Sequence, residues 1–212
     1  MNKLIKEIKE LEKTKINKKI KERIKEFKSF ENKDNEEWFS ELCFCLLTSN
    51  SKAQTALNIQ QELGAKGFLK DSSEKICATI IKNKHRFHNT KTRFIMDARK
   101  HAAIKEIIQN IVKDKNVREA REWLVSNVKG LGYKEASHFL RNVGYLDLAI
   151  LDRHIVNVML DHKIINNKPK SLGRKNYLEI EKKFMKISDK AGMAAGELDF
   201  YMWYMKAGDV LK

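Results

Sequence analysis

Apolar residues recur at helical spacing almost throughout the chain. Leu4, Ile5, Ile8 and Leu11 mark a first helix, and Ile16, Ile20, Ile24 and Phe27 a second. The polar stretch from Asn32 to Asn35 interrupts the pattern. Trp38, Phe39, Leu42, Leu46 and Leu47 then outline a helix ending at Thr48-Ser49-Asn50-Ser51. The next helix starts there, with Ala53, Ala56, Leu57 and Ile59 as core positions, and Gly64 and Gly67 break it. Ile76, Ile80 and Ile81 belong to a short helix, and a long one is predicted from about Thr92 to Val112. No period-two strand pattern stands out, so the chain reads as all-α.

One hairpin is distinctive. Val117, Ala120, Trp123, Leu124 and Val128 form one helical face, and Ala136, Phe139, Leu140 and Val143 form another. Gly130-Leu131-Gly132 joins them as a helix-hairpin-helix. Glycines permit the tight turn and leave backbone amides open. Those amides, with the start of the following helix, suit a DNA phosphate. An ordinary helix–helix loop explains the glycines equally well.

Composition narrows the choice of partner. The 43 Lys and Arg residues against 28 Asp and Glu give a formal charge of +15. An excess of this size points to a polyanion, nucleic acid before membrane, although a lysine-rich solvated surface is the plain alternative. The longest apolar run, Leu42 to Leu47, is too short to span a bilayer, and the first residues lack a signal-peptide core. The expected location is intracellular, in the cytoplasm with the nucleoid. Cys43, Cys45 and Cys77 form no CxxC pair, which argues against a disulfide framework, a zinc ribbon or a four-cysteine iron–sulfur cluster; all three are expected as buried thiols. Neither a cofactor nor a metal is called for.

Lys134 is the second residue after Gly132. It shares a helix face with His138, opposite the apolar stripe. In the first helical turn the macrodipole and nearby basic groups disfavour an ammonium, and a lysine must lose its proton to act as a nucleophile. Most lysines in so basic a chain are simply solvated. Asp152, eighteen residues on, follows the apolar stretch Leu148 to Leu151 and stands where a helix N-cap belongs. Asp147 is the rival carboxylate, in the connection.

A glycine hairpin, a lysine two residues later and an aspartate about eighteen residues beyond resemble the helix-hairpin-helix base-excision DNA glycosylase superfamily. Within it, the chain most resembles the small archaeal type-2 8-oxoguanine DNA glycosylase/lyases. The likeness extends over the TSNS junction, KGLGYKEASHFLRNVG, ILDRH and the closing DFYMWYMKAGDVLK. Endonuclease III-like members carry a C-terminal four-cysteine cluster that is absent here, and the chain is too short for the extra N-terminal domain of eukaryotic 8-oxoguanine glycosylases.

The resemblance implies two helical domains with the active site between them: residues 32–146, including the hairpin, against 1–31 with 147–212. It implies that Lys134 attacks the sugar C1′ and forms a Schiff base while Asp152 stabilises positive charge on the sugar. His138 and Trp203 would stack on the extracted base, and Lys212 would help tell 8-oxoguanine from guanine through the N7 hydrogen. Trp203 has a competing core reading, although it points away from the centroid of Leu198, Tyr201, Met202 and Met205. Asn50 matches the position that fills the gap left by the base, against a plain N-cap. Phe87 is a second wedge candidate, against core packing, which the pattern favours. The implied partner is double-stranded DNA with an oxidised purine, bound by a monomer. Two other functions fit parts of the pattern: excision of a different oxidised base, and a non-catalytic helix-hairpin-helix module. A lysine-rich scaffold fits the charge alone.

Overall fold

The computed structural model describes residues 1–210, all of them helix, turn or loop. The elements run α1 (Asn2–Leu11), α2 (Lys15–Lys28), a 3-10 turn (Ser29–Asn32), α3 (Asn35–Thr48), α4 (Ala53–Lys70), α5 (Ser73–Lys82), α6 (His88–Ala98), a second 3-10 turn (Arg99–His101), α7 (Ile104–Asp114), α8 (Val117–Asn127), α9 (Tyr133–Asn142), α10 (Arg153–Asp161), α11 (Arg174–Ala191) and α12 (Ala195–Ala207). No described helix is long and apolar enough to cross a membrane.

Helix starts follow local chemistry. Asp34 and Glu37 form a reciprocal capping box at α3. Ser72 caps α5, Asn116 caps α8 and Asp152 caps α10. Gly192, at φ +69°, closes α11 in the left-handed conformation that glycine tolerates.

Two clusters of buried apolar side chains result. One draws on Phe30 through Leu148 and is centred on α3, buried on every side from Trp38 to Thr48. The other combines Leu4 to Phe27 with Ala149 to Val210, and takes in Tyr133. Helix α9 packs against α3 and α8 of the first group and against α2 of the second. Two buried ion pairs cross the seam: Arg121 of α8 with Glu181 of α11, and Arg141 of α9 with Asp199 of α12.

The structure corrects several expectations. The long helix predicted from Thr92 to Val112 is two helices, α6 and α7, separated at Arg99–His101. No Gly or Pro marks the break. The Arg99 guanidinium turns inward to the carbonyls of Phe68 and Asp71 (2.9 and 2.5 Å), and the bend lets Ile104 and Ile108 reach the core. Gly64, at φ +64° and ψ 177°, breaks α4 as expected, but Gly67 does not: it lies inside the helical segment that resumes after the kink and runs to Lys70. The short helix predicted around Ile76, Ile80 and Ile81 is α5, in which Ile76 and Ile80 are buried and Ile81 is exposed. Cys43 and Cys45 are buried, but Cys77 is only half-buried.

Candidate active site

The hairpin between α8 and α9 is tight. Gly130 has φ +89°, and a Cβ there would lie 2.3 Å from the Phe94 ring, so only glycine fits. The Leu131 side chain is buried in the first cluster, which leaves only its backbone to face a ligand. The hairpin amides are less open than its glycine content implies. Leu131 N–H donates to the Val128 carbonyl at 3.2 Å, and Gly132 N–H donates to Glu135 Oε2 at 3.3 Å. The second bond is long and exposed, so a phosphate could displace it.

Gly132 is the N-cap of α9, which puts Lys134 in the first turn, half-buried. His138 follows one turn later on the same face. That face was expected to be open, yet His138 is buried and meets Phe44 edge-on at 5.7 Å. The reason is that α9 lies between the two clusters, so both of its faces are covered.

Asp152 caps α10, accepting from the backbone N–H groups of His154 (2.8 Å) and Ile155 (2.9 Å). Both bonds land on Oδ1, so the cap fixes the carboxylate without using Oδ2. Asp147 is exposed in the connection. Two residues past Asp152, the His154 ring meets Trp203 of α12 edge-on at 5.7 Å, which puts half-buried Trp203 beside the start of α10.

Lys134 and Asp152 act on a common third group. Asp199 of α12 is buried and bonded through Oδ2 to Arg141 Nη1 at 2.5 Å. Burial pushes its carboxyl up to about 7, against the pull of Arg141; the charge of Asp152 adds to the rise and that of Lys134 opposes it. A second lysine, Lys91 of α6, also feels Lys134. It is buried with Nζ on the Leu46 carbonyl (2.6 Å), and burial pulls it down to about 8.

Asn50 and Phe87 lie on neighbouring loops. Asn50 is exposed at φ +59°, and Lys52 rather than Asn50 is the N-cap of α4. The plain capping reading of Asn50 therefore fails. Phe87 is 43% exposed, which removes its core reading. Arg86 links the two loops, its guanidinium donating to the Asn50 carbonyl at 3.4 Å and lying 5.3 Å from the Phe87 ring centre. His85 anchors them: Nε2 donates to the Leu47 carbonyl (2.9 Å) and Nδ1 accepts from Phe87 N–H (3.2 Å). Those two bonds together require the neutral ring, and burial lowers the His85 pKa in the same sense. Lys212 lies outside the described residues.

Among the described residues no group of three or more His, Cys, Asp and Glu side chains could hold a metal. A surface hollow is lined by Cys77, Ile81 and Met96, among others, and none of the candidate residues lines it. Sequence reasoning missed Asp199, Arg141, Lys91 and His85. One signal was available for Asp199, a carboxylate inside the apolar run Leu198-Asp199-Phe200-Tyr201-Met202.

Residues 20–193 match the family model described as 8-oxoguanine DNA glycosylase. The chain belongs to the 8-oxoguanine DNA glycosylase family. It is 47% identical to the 8-oxoguanine DNA glycosylase/AP lyase of Methanocaldococcus jannaschii, covering 99% of both chains, and 42% identical to that of Korarchaeum cryptofilum, covering 99% of this chain and 98% of the relative. The crystal structure of the M. jannaschii glycosylase/lyase with a 15mer DNA containing 8-oxoguanine superposes with TM-score 0.94, at 47% identity and 99% coverage of each chain. The Thermotoga maritima 8-oxoguanine DNA glycosylase gives 0.91 at 35% identity, covering 100% of this chain and 99% of that one. Family membership and fold thus extend over the whole described chain, and the all-α helix-hairpin-helix architecture is that of the family.

Proposed function

We propose that this protein excises 8-oxoguanine from duplex DNA and cuts the resulting abasic strand, with Lys134 as nucleophile and Asp152 as its anionic partner. The observation that carries the assignment is the seam itself. The first turn of α9, packed between the two apolar clusters, carries the lysine, and the capped start of α10 carries a carboxylate fixed by two amide bonds.

The chemistry follows from those groups. The free amine of Lys134 attacks C1′ as the bond from C1′ to the base breaks, and the base leaves with the electron pair and takes up a proton. Positive charge on the sugar is stabilised by Asp152, whose capping bonds fix the orientation of its carboxylate. The sugar opens to a protonated imine on Lys134 Nζ. Loss of a C2′ proton expels the 3′ phosphate, and water then hydrolyses the imine and returns the amine.

The base must leave the stack to be reached. Exposed Phe87 and Asn50 are the groups we assign to the duplex, Gly130 to Gly132 to the backbone, and His138 and Trp203 to the base pocket. We infer a division into residues 32–146 and residues 1–31 with 147–212, which the two apolar clusters support. A DNA-acting enzyme of this charge works at the nucleoid.

Borohydride trapping on duplex DNA with a single 8-oxoguanine tests the reading. Wild type is expected to form a covalent adduct and Lys134→Gln none. Adduct formation by folded Lys134→Gln would refute the assignment of the nucleophile, and a DNA-bound wild type that forms none would refute the lyase.

A further inference from the structure

We propose that His85 is a positioning residue for base extrusion: its ring is a strut that ties the Phe87 backbone to the end of α3 and so aligns Phe87 for entry into the duplex. The inference rests on the assignment of Phe87 to the duplex.

The strut takes hold at the C-terminus of α3. The last four carbonyls of a helix have no partner within it. Here each is met by a different group. Thr48 Oγ1 donates to the Cys45 carbonyl at 2.9 Å, and Ser51 N–H donates to the Thr48 carbonyl at 3.2 Å. The other two are met by side chains far along the sequence. Lys91 Nζ donates to the Leu46 carbonyl at 2.6 Å, and His85 Nε2 donates to the Leu47 carbonyl at 2.9 Å. Thr48, Lys91 and His85 are all buried.

Lys91 ends at its carbonyl, but His85 reaches further. Its Nδ1 accepts from Phe87 N–H at 3.2 Å. One ring therefore joins the carbonyl of Leu47, three residues before Asn50, to the amide of Phe87. The ring also meets that of Phe87 edge-on at 6.4 Å, and His85 N–H is itself held by the Ile80 carbonyl of α5 at 3.2 Å. A residue that only filled space here would need no polar atoms, and burying them costs free energy unless they are bonded.

The backbone points the same way. Asn50 has φ +59° and Lys84 has φ +57°, so a left-handed residue other than glycine stands near each end of the strut. Such conformations persist where the surrounding structure over-determines them. The benefit of the strut lies in binding. A side chain that enters a duplex from a loose loop loses its freedom on the way in, whereas one held beforehand has less to lose.

His85→Gln and His85→Asn cut the strut at opposite ends. Glutamine is long enough to keep a donor for the Leu47 carbonyl but gives Phe87 N–H no acceptor. Asparagine keeps the near acceptor and is too short for the carbonyl. Single-turnover excision of 8-oxoguanine from duplex DNA is compared with strand cleavage at a preformed abasic site, and 2-aminopurine beside the lesion reports unstacking. In each variant, excision and the unstacking signal should slow by at least about fivefold more than abasic-site cleavage does. The Phe87→Ala background separates alignment from general damage: there His85→Gln should cost no more than about a further twofold. Losses that add in full, or equal losses in both assays, would overturn the proposal and leave His85 a packing residue. A slow Phe87→Ala beside unimpaired His85 variants would overturn the strut alone. A Phe87→Ala that excises at the wild-type rate would remove Phe87 from the duplex, and the proposal with it. Should neither His85 variant fold, hydrogen exchange at the Phe87 amide of wild type decides. Protection of at least about tenfold is expected from the bond to Nδ1, and exchange at the rate of a free amide overturns it.

Discussion

Glu181 offers the sharpest test of how the seam is held. It forms a fork with Arg121, with Nη1 to Oε1 at 2.5 Å and Nη2 to Oε2 at 2.8 Å, and it also accepts from Ala149 N–H at 3.3 Å. Arg121 is 1% exposed, lies over the rings of Tyr133 and Tyr177, and donates to Ser137 at 3.2 Å. Glu181→Ala strands this guanidinium in a dry seam, and removing one partner of a buried pair costs about 3–5 kcal/mol. In a chain of this size each kcal/mol lowers Tm by about 2–4 °C, so the variant should melt roughly 6 to 20 °C below wild type. The double replacement Arg121→Met with Glu181→Leu removes both charges and should recover most of the loss, because well-packed apolar residues match or exceed a buried pair. Thermal unfolding followed by circular dichroism measures both. A drop below about 2 °C for the single variant, or a double variant no better than the single, would show that the seam does not depend on this charge.

Two further outcomes test the periphery of the site. Phe87→Ala should leave stability within about 0.5 kcal/mol, because Phe87 is largely exposed, while slowing excision at least about tenfold and sparing strand cleavage at a preformed abasic site; equal loss in both assays would remove Phe87 from base extrusion. Lys91 carries a pH signature. Its folded value near 8 lies below the ordinary 10.5, so between those values the unfolded chain binds the extra proton and stability rises with pH. Compared with Lys91→Met in urea titrations, wild type should gain up to about 1.4 kcal/mol per pH unit across that window, and parallel curves would contradict the burial of an ammonium there.

Much of this was readable from short-range chemistry. Asp152 was placed as a cap because an acceptor before an apolar helix has one obvious use, and both amide bonds are present. The glycine hairpin and the stripe shared by Lys134 and His138 follow from spacing alone. The errors came from tertiary demands. No local residue announces the bend at Arg99, since its cause is a pair of carbonyls about thirty residues earlier. Asn50 looked like a cap, yet its left-handed backbone and the start of α4 three residues later take it out of that role.

The least legible feature is also the most consequential. Lys134, Ser137, His138 and Arg141 form a polar stripe at helical spacing, which on most helices faces water. Here Ser137, His138 and Arg141 are all buried, because a second apolar cluster closes over that side of α9. A buried polar stripe must be satisfied or it destabilises the fold. Two of its members are matched by partners distant in the chain, Ser137 through Arg121 and Tyr177, and Arg141 through Asp199. Lys134, at the open end of the stripe, stays half-exposed. A single helix thus carries both a buried anchor, Arg141, and, at its open end, the lysine proposed as the nucleophile.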